Sequence, residues 1–485
     1  MSTQVRTTVN SALIGAIVAV ATIGGLLFGY DSGAVNGTQA GLAEEFDLSS
    51  WWLSTTVASL LAGCAVGAFF AGRLADVIGR RTVMILAAIL FVVGALVQGW
   101  TDAHAIFVIA RFSGGMAVGA ASVLSPLYIS EVAPANIRGR LSTVQQVMII
   151  TGLTAAFVVN YFLAQSAGSS LGQVAGLAAW RWMYLAQAVP AVVFLVALFF
   201  IPESPRYLVS KGRSEEAHRV LTSLFGPAEA DRKVGEIEAS FSKDHRPRLR
   251  DVTTPGTVFR PIVWAGIMLA TFQQFVGINI IFYYGETLWR LAGISEEVAL
   301  ERNIISGVVS IAAVLAALAV IDKIGRKPLL LIGSAGMAVT LGAMTWAFSG
   351  AATDAAGNLV LGETAGYTAL VAANLYVIFF NFSWGPVMWV MLGEMFPNQI
   401  RGSALAVAGL AQWGANFLVV QTFLPLADGI GLAGTYALYT ISAVISIFLV
   451  RSFIKETKGK ELEEMEGWEA PEAAGDAVVP TTRIG

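Results

Sequence analysis

Cysteine, histidine and charge are all scarce in this sequence, and each scarcity narrows the class of protein. The 485 residues contain one cysteine, Cys64, so no disulfide can form within the chain, and we interpret this thiol as a small buried apolar group. The three histidines are far apart in sequence, which argues against a metal site. Charged residues make up 13% and the net charge is -3, so no binding of nucleic acid is expected.

Apolar residues are abundant instead. They make up 56% of the chain, and the mean hydropathy is +0.68, values that exclude an ordinary soluble enzyme and indicate a polytopic membrane protein. A helix needs roughly 20 apolar residues to cross a bilayer, and twelve such runs occur, six on each side of a long polar stretch. The runs are Ile14 to Tyr30, Leu53 to Phe70, Val83 to Trp100, Ile106 to Ile129, Thr143 to Leu163, Met183 to Ile201, Ile262 to Trp289, Ile304 to Ile321, Leu329 to Phe348, Tyr367 to Leu392, Ala404 to Pro425 and Tyr436 to Val450.

Basic residues are distributed unequally over the loops. Most of them fall on the side shared with both termini, and the opposite loops keep three near their ends. By the positive-inside rule, both termini are expected in the cytoplasm. The expected organisation is a six-helix bundle over residues 1–201, a cytoplasmic linker with short amphipathic helices over 202–260, a second six-helix bundle over 261–455 and a cytoplasmic tail over 456–485.

The two halves carry an internal repeat. GRLADVIGRR, residues 72–81, is echoed by DKIGRKP, residues 322–328, each between the second and third runs of its half. EVAPANIRG, residues 131–139, matches EMFPNQIRG, residues 394–402, with glutamate and arginine seven apart in both. Two repeated halves with a site between them are typical of transporters.

One apolar run of the second half holds polar groups that need partners within a membrane. The stretch QQFVGINIIFYY carries the amides of Gln273, Gln274 and Asn279 and the phenol of Tyr283. Gly277 is where the helix could unwind and bring these groups together. Neutral amides around a cavity suit a hydroxyl-rich ligand such as a sugar. Hydrogen bonding between packed helices explains the same residues equally well when no other evidence is considered.

Two charges lie within apolar runs of the first half. Asp31 stands at the outer end of the first run, directly after Tyr30, and Arg111 is in the fourth. A charge at the centre of a bilayer costs on the order of 2.5–3.5 kcal/mol, so each group is expected to have a partner. A static ion pair that holds two helices together is the alternative to a functional role.

The repeated loop GRLADVIGRR resembles the signature of the major facilitator superfamily. With PLYISEVAPANIRG, PESPRYL, QQFVGIN, SWGPVMWV and ETKG, the chain resembles the sugar porter family within it, from about residue 24 to residue 464. The resemblance implies an all-α membrane protein with twelve transmembrane helices in two pseudo-symmetric six-helix bundles. It also implies transport by alternating access, with no enzymatic step and no cofactor.

The resemblance also assigns roles to residues. It implies pairing of ionised Asp31 with Arg111, and release of Arg111 when a proton neutralises Asp31. A break in the tenth run is expected at Pro386, which would expose backbone groups to the cavity. The expected sugar-binding residues are Phe28, Gln273, Gln274, Asn279, Tyr283, Phe380, Gly385, Trp389, Gln412 and Asn416.

Charges at the cytoplasmic loops are expected to form ion pairs between helices when the inner gate is closed. Exposed ion pairs are individually worth about 0–1 kcal/mol, so this set would adjust the balance between two states rather than overall stability. The expected gate residues are Arg73, Asp76, Arg80, Glu131, Arg138, Glu203, Arg206, Asp322, Arg326, Glu394 and Arg401.

The function that this sequence predicts is symport of a monosaccharide, a pentose or hexose such as D-xylose or D-glucose, with a proton. The expected partners are the sugar, the proton and the lipid bilayer, and a functional monomer in the cell membrane is expected. Leu153 and Ser310 depart from the family pattern at the site and leave the sugar open, while Gln187 removes a carboxyl that a proton relay could use. A facilitative sugar uniporter and a membrane sugar sensor that does not transport are the alternatives.

Overall fold

The computed structural model describes residues 10–134, 138–243, 252–253, 258–291, 293–353, 359–397 and 400–458. These residues form long helices joined by short turns, with two small antiparallel hairpins in loops. The helices are α1 Ser11–Asn36, α2 Gln39–Glu45, α3 Ser50–Ile78, α4 Arg80–Trp100, α5 His104–Val132, α6 Arg138–Ala167, α7 Ala179–Ala186, α8 Ala188–Leu198, α9 Pro205–Ser210, α10 Ser214–Phe225, α11 Pro227–Lys243, α12 Pro261–Phe275, α13 Ile278–Leu291, α14 Glu296–Ile324, α15 Arg326–Ser349, α16 Glu363–Phe382, α17 Trp384–Met395 and α18 Arg401–Phe453. The strands are β1 Gln173–Val174, β2 Leu177–Ala178, β3 Ala352–Thr353 and β4 Leu359–Val360.

Within the described ranges, 11 helical segments are long and apolar enough to cross a membrane. The last of them, α18, has 53 residues, about twice the length that a bilayer requires. Gly431 lies inside it with φ 75° and ψ 168°, a conformation that no helix contains and that glycine adopts without steric cost. The chain turns there from an eleventh span into a twelfth, in agreement with the twelve expected.

Three other spans are each made of two helices with a break in the membrane. The breaks fall at Gln187, between α7 and α8, at Gly277, between α12 and α13, and at Ser383, between α16 and α17. The backbone of Gly277 has φ 82°, so the helix does unwind where the glycine allows it. The break expected at Pro386 was misplaced. Pro386 lies in the first turn of α17, where its missing N–H removes no hydrogen bond.

Spans of one half pack closely on each other before the halves meet. In the first half α1 packs on α6 and α3 packs on α5, while in the second half α12 and α15 pack on α18. Glycines permit this approach, because a Cβ at Gly63 of α3 would overlap the backbone of Phe112, and one at Gly115 of α5 would overlap that of Leu60. The halves then meet where α6 packs on α14, α3 on α18 and α1 on α13.

The polar stretch between the halves forms α9, α10 and α11. Leu221 and Leu224 of α10 are buried, as the helical spacing of its apolar residues predicts. Two amphipathic helices were expected here, and α9 adds a third. The face of the molecule that carries residues 10 and 458 is called here the termini face, and the opposite face is called the far face.

Candidate functional site

The break at Gly277 gathers the amides of one face of the second half. Gln273 and Gln274, at the end of α12, are both 4% exposed. Gln274 Nε2 donates to Gln273 Oε1 at 3.0 Å, and Asn279 Nδ2 donates to Gln274 Oε1 at 2.6 Å. Asn279 Nδ2 also donates to Asn416 Oδ1 of α18 at 2.8 Å. Four amides that were expected at the site therefore form one hydrogen-bonded chain, called here the amide chain.

Three amide atoms near this chain are buried and have no hydrogen-bond partner among the described residues. They are Oε1 of Gln412, Nδ2 of Asn416 and Oδ1 of Asn381. A buried polar atom without a partner costs about 1–3 kcal/mol, so such atoms mark places where a ligand hydroxyl or water completes the set. Asn381 was missed from the sequence, although a lone amide in the apolar run FFNFSWGP is a detectable signal.

Aromatic rings lie beside these amides. Phe28 of α1 and Trp413 of α18 make an edge contact, with centroids 5.5 Å apart and planes at 72°, so the pair joins the two halves. Trp413 was not predicted as a site residue, although it stands between Gln412 and Asn416 in AQWGAN.

The remaining expected residues of α16 and α17 differ in exposure. Phe380 is 5% exposed, and a Cβ at Gly385 would make an ordinary contact with its ring at 3.5 Å. Trp389, one turn further along α17, is 42% exposed. Its ring is available for stacking on a sugar, and the structure does not enclose it.

Tyr283 is placed differently from the amides. Its side chain is 1% exposed, and its hydroxyl lies 3.2 Å from Oγ of Ser32 on α1. The phenol therefore joins the two halves, and its expected contact with a sugar stays a prediction.

The two membrane charges do form an ion pair. Nη1 of Arg111 lies 3.1 Å from Oδ1 and 3.3 Å from Oδ2 of Asp31, and both side chains are 1% exposed. The same nitrogen reaches Oε1 of Gln98 at 3.5 Å, and the guanidinium lies 5.8 Å from the ring of Tyr184. Because Asp31 precedes Ser32, the pair is one residue away from the contact between the halves.

The three departures from the family pattern have distinct surroundings. Leu153 is 2% exposed and its backbone lies against the glycine positions 29 and 33 of α1, so it serves packing between α1 and α6. The hydroxyl of Ser310 donates to the carbonyl of Ser306 at 2.6 Å. Gln187 is fully buried at the break between α7 and α8, and both of its amide atoms lack a partner.

On the termini face, Arg80 joins the helix ends of the first half. Its guanidinium lies 3.0 Å from Asp76 and 3.1 Å from Glu131, and its backbone N–H donates to Glu203 at 3.0 Å. Ser204 donates its hydroxyl to Glu131 as well. These residues are called the first clamp.

Arg326 makes the same arrangement in the second half. Its guanidinium lies 3.0 Å from Asp322 and 2.8 Å from Glu394, and its backbone N–H donates to Glu456 at 2.9 Å. Thr457 donates its hydroxyl to Glu394 at 2.6 Å. These residues are called the second clamp. The two copies of the repeated sequence motif therefore make equivalent contacts in the two halves.

The gate residues were expected to form ion pairs between helices, and the ion pairs centred on Arg80 and Arg326 do join different helices. These pairs lie within one half each, and their role in closing an inner gate stays a prediction. Glu456 was missed as a clamp residue, although it belongs to the quoted motif ETKG.

The other expected gate residues make local contacts. Arg73 lies 5.3 Å from the ring of Phe69, and Nε of Arg401 donates to the carbonyl of Phe396 at 3.2 Å. Arg206 acts electrostatically on Glu131. The side chain of Arg138 lies outside the described part of the chain.

On the far face, hydrogen bonds run directly between the halves. Nδ2 of Asn36, at the end of α1, donates to the carbonyl of Phe282 at 2.9 Å. Its Oδ1 accepts from Asn303 at 2.6 Å and from the backbone N–H of Glu286 at 3.2 Å. Gly285 permits the contact, because a Cβ there would meet the amides of both asparagines.

Further hydrogen bonds between the halves lie at the same face as Asn36. The side chain of Gln39 donates to a backbone carbonyl of α13. The backbone N–H of Ser170 donates to Glu296 at 2.7 Å, and Gln421 donates to Thr55 at 3.0 Å. Together with the contact of Tyr283, these bonds hold the halves together at the far face, and none of them was predicted from the sequence.

Comparison with known proteins places the chain in a family. The family model described as sugar (and other) transporter matches residues 17–467. A glucose transport protein of Synechocystis is 47% identical over 96% of this chain and 99% of its own length. The D-xylose-proton symporter of Escherichia coli is 37% identical over 96% of this chain and 98% of its own length.

Solved structures support the same family assignment. The E. coli xylose transporter XylE, in a partially occluded inward open conformation, superimposes with a TM-score of 0.79 at 36% identity, over 93% of this chain and 100% of that one. The fold is thus that of the major facilitator superfamily, with twelve spans in two six-helix bundles. The chain belongs to the sugar transporter family, the sugar porters of that superfamily. It is a multi-pass membrane transporter and not an enzyme.

Proposed function

We propose that this protein is a proton-coupled symporter of a monosaccharide, a pentose or hexose, that works by alternating access. The observation that carries the proposal is the buried Asp31–Arg111 ion pair, one residue from a contact between the halves, combined with an amide chain suited to sugar hydroxyls. The sugar transport proteins among the relatives support the substrate class.

The sugar-binding residues are the amides and rings of the second half. Gln412, Asn416 and Asn381 offer an acceptor, a donor and an acceptor that are unused within the described part of the chain. A sugar hydroxyl both donates and accepts, so it satisfies either kind of atom. Trp389 and Phe28 contribute rings that stack on the C–H faces of a pyranose. The names of two relatives, for glucose and for D-xylose, make these two sugars the first to test.

The proton is carried by Asp31. While the carboxylate is ionised, it pairs with Arg111, and neutralising it removes the attraction that holds the guanidinium in place. Because Ser32 and Tyr283 connect this position to α13, freeing Arg111 changes the balance between the two arrangements of the halves.

The two faces support a direction of opening. Hydrogen bonds between the halves close the far face, and among the described residues the ion pairs of both clamps are internal to each half, which favours an inward-facing state. The positive-inside rule then places the termini face in the cytoplasm and the protein in the plasma membrane. In this proposal, residues 1–201 and 261–455 are the moving bodies, 202–260 links them, 456–485 is a cytoplasmic tail and one chain is the functional unit. Residues 459–485 of that tail lie outside the described residues.

Uptake of labelled D-xylose and D-glucose into proteoliposomes, with and without an inward proton gradient, tests the proposal. Accumulation above equilibrium should need the gradient and should vanish in Asp31→Asn, while exchange of internal for external sugar survives. Equilibration without any effect of the gradient in both proteins would show a facilitative uniporter. Binding of either sugar without uptake would show a sensor.

The site has a separate test with a matched control. Asn416→Ala removes both the bond to Asn279 and the unused donor, and should raise the KM for the transported sugar about tenfold or more. Asn374→Ala is the control, because both ends of the Asn374 amide are bonded within the protein, to Ser306 and to the carbonyl of Leu370. Equal KM values in the two variants would contradict the assignment.

A further inference from the structure

Glu286 is a buried carboxyl on α13 that has no part in the function proposed above. The residue is 3% exposed, and it lies beside the contacts of Asn36 and Gln39 that hold the halves together at the far face. Its cation partner is Arg290, one turn along the same helix, at 3.4 Å and with a side chain that is 47% exposed. One long contact to a half-exposed arginine is weak compensation for burying a carboxylate.

The orientation of Gln39 is fixed by its partner across the halves. Its amide touches the backbone carbonyl of Tyr283, and a carbonyl oxygen can only accept. The amide must therefore present its nitrogen to that carbonyl. Its oxygen is then directed at Thr287, whose Oγ1 lies 2.9 Å away.

The hydroxyl of Thr287 therefore has no proton left for a second acceptor. Its single proton goes to the oxygen of Gln39, which is unable to donate. Oε2 of Glu286 lies 3.4 Å from the same Oγ1. If Glu286 is ionised, its carboxylate oxygen and the hydroxyl oxygen of Thr287 face each other as two acceptors with no proton between them. If Glu286 carries a proton, it donates to Thr287, Thr287 donates to Gln39, and Gln39 donates to the Tyr283 carbonyl in one continuous chain.

We propose that Glu286 is a second proton-binding residue of this transporter, which takes up a proton when the far face closes and releases it when the far face opens. The proton completes the hydrogen-bond chain that runs from Glu286 through Thr287 to Gln39, which belongs to the opposite half. In the open arrangement the carboxyl faces water, which solvates its charge, and the chain to Gln39 is broken.

The groups around Glu286 are consistent with Glu286 itself as the residue that binds the proton. Among the residues that the structure describes, the charged groups with the largest effect on Glu286 are Arg290 of its own helix and Glu296 at the start of α14. The groups that α1 and the following helix α2 direct at this region, Asn36 and Gln39, are neutral. Glu296 accepts from the backbone of Ser170 in the other half, so it is the acidic group to use as a control.

The inference rests on alternating access as proposed above, but not on proton coupling through Asp31. Because closure binds a proton at Glu286, lowering the pH favours the closed far face by linkage. The dependence should persist when Asp31 is replaced by Asn, which removes the titration of the first site.

The test measures the distance between the halves at the far face by double electron–electron resonance. Spin labels are attached at Ala103→Cys and Thr364→Cys, two exposed positions on opposite halves. Cys64 is fully buried and stays in place. The protein carries Asp31→Asn, no sugar is present, and the pH is varied from about 8 to about 5.

The ratio of closed to open molecules should rise on the order of tenfold over this range. Glu286→Gln, whose amide can donate to Thr287 at any pH, should stay closed with less than about a twofold change. Glu286→Ala, which cannot donate, should stay open throughout, and Glu296→Gln should keep the dependence on pH.

A pH-dependent distance that persists unchanged in Glu286→Gln would overturn the assignment, as would an Asp31→Asn protein whose far face ignores pH. The measurement involves no transport. A facilitative mechanism, in which Asp31→Asn alters no uptake, would leave the result for Glu286 standing.

Discussion

The far face and the termini face are held together by different chemistry. At the far face, neutral amides and hydroxyls such as Asn36, Gln39 and Asn303 bond across the two halves. At the termini face, arginine–carboxylate pairs centred on Arg80 and Arg326 bond within one half each. Apart from the bond of Ser170 to Glu296, the hydrogen bonds described between the halves at the far face are thus made of neutral groups, and the clamps within each half are made of charges.

The difference has an energetic reason. A neutral hydrogen bond contributes a net ~0.5–1.5 kcal/mol, comparable to the differences that a two-state carrier must reverse. A two-pronged arginine–carboxylate pair is stronger and shorter, and it restrains geometry as well as distance. In the proposed mechanism, the clamps would keep each half a rigid body while the halves move.

The largest expected effect is a difference between the two clamps in how much stability their arginine contributes. In Arg80→Met, the carboxylate of Glu131 loses its main partner, and because its side chain is 5% exposed, the free energy of unfolding should fall by on the order of 3 kcal/mol. In Arg326→Met, Glu394 is 33% exposed, so water replaces the guanidinium and the loss should be about 1 kcal/mol. Thermal unfolding of both variants in detergent compares them. Equal losses would mean that burial does not distinguish the clamps.

A second change should alter conformation more than stability. Asn36→Ala removes hydrogen bonds to Phe282 and Asn303 across the halves, and should shift the protein toward the open far face by about tenfold. Labelling of a cysteine placed at a position that becomes accessible only when the far face opens reports the shift. Arg326→Met is the control and should leave the labelling rate as it is. An unchanged rate in Asn36→Ala would show that the amides are not what closes this face.

Tyr283→Phe tests a smaller part of the comparison. The change removes the hydroxyl that lies 3.2 Å from Ser32 and keeps the ring. If the phenol joins the halves, the far face should open about threefold more often, with little change in sugar affinity measured on the open state. A large loss of affinity with no change in opening would instead assign Tyr283 to the sugar, as the resemblance implied.

The smallest expected effect is a pH dependence at the second clamp. Partial burial alone would raise the pKa of the Glu456 carboxyl, but hydrogen bonds from the backbone N–H groups of Arg326, Lys458, Lys327 and Thr457 outweigh it and lower the pKa. The stabilisation is then present above the unfolded pKa of about 4.3 and is lost as the pH falls through the lower folded value. The difference in melting temperature between the native protein and Glu456→Gln should shrink over that range, and a constant difference would contradict this.

Much of the fold is dictated by local sequence. The apolar runs predicted the spans because each run must satisfy its own backbone in lipid. Gly277 predicted a break because glycine adopts the required φ at little cost. The break at Ser383 was not predictable in this way, since nothing in the serine itself demands φ -132° and ψ -86°.

The site was predictable where polar groups stood out against lipid. Gln273, Asn279 and the Asp31–Arg111 pair were visible because amides and charges are costly in an apolar run. Asn36 lies beyond the end of the first apolar run, where polar side chains are common, so composition did not mark it. Glu286 lies inside the run Ile262 to Trp289, where a carboxyl is a detectable signal, and it was missed. Their roles arise from partners far away in the chain, since Asn36 and Glu286, which bond to each other, are 250 residues apart.

Proton movement driven by sugar tests the central claim most directly. Proteoliposomes with no gradient are given external D-xylose or D-glucose, and the pH of the weakly buffered medium is followed. The native protein should make the medium more alkaline in proportion to the sugar taken up, and Asp31→Asn should exchange sugar without any change in pH. Sugar entry through the native protein at constant external pH would contradict proton coupling through Asp31.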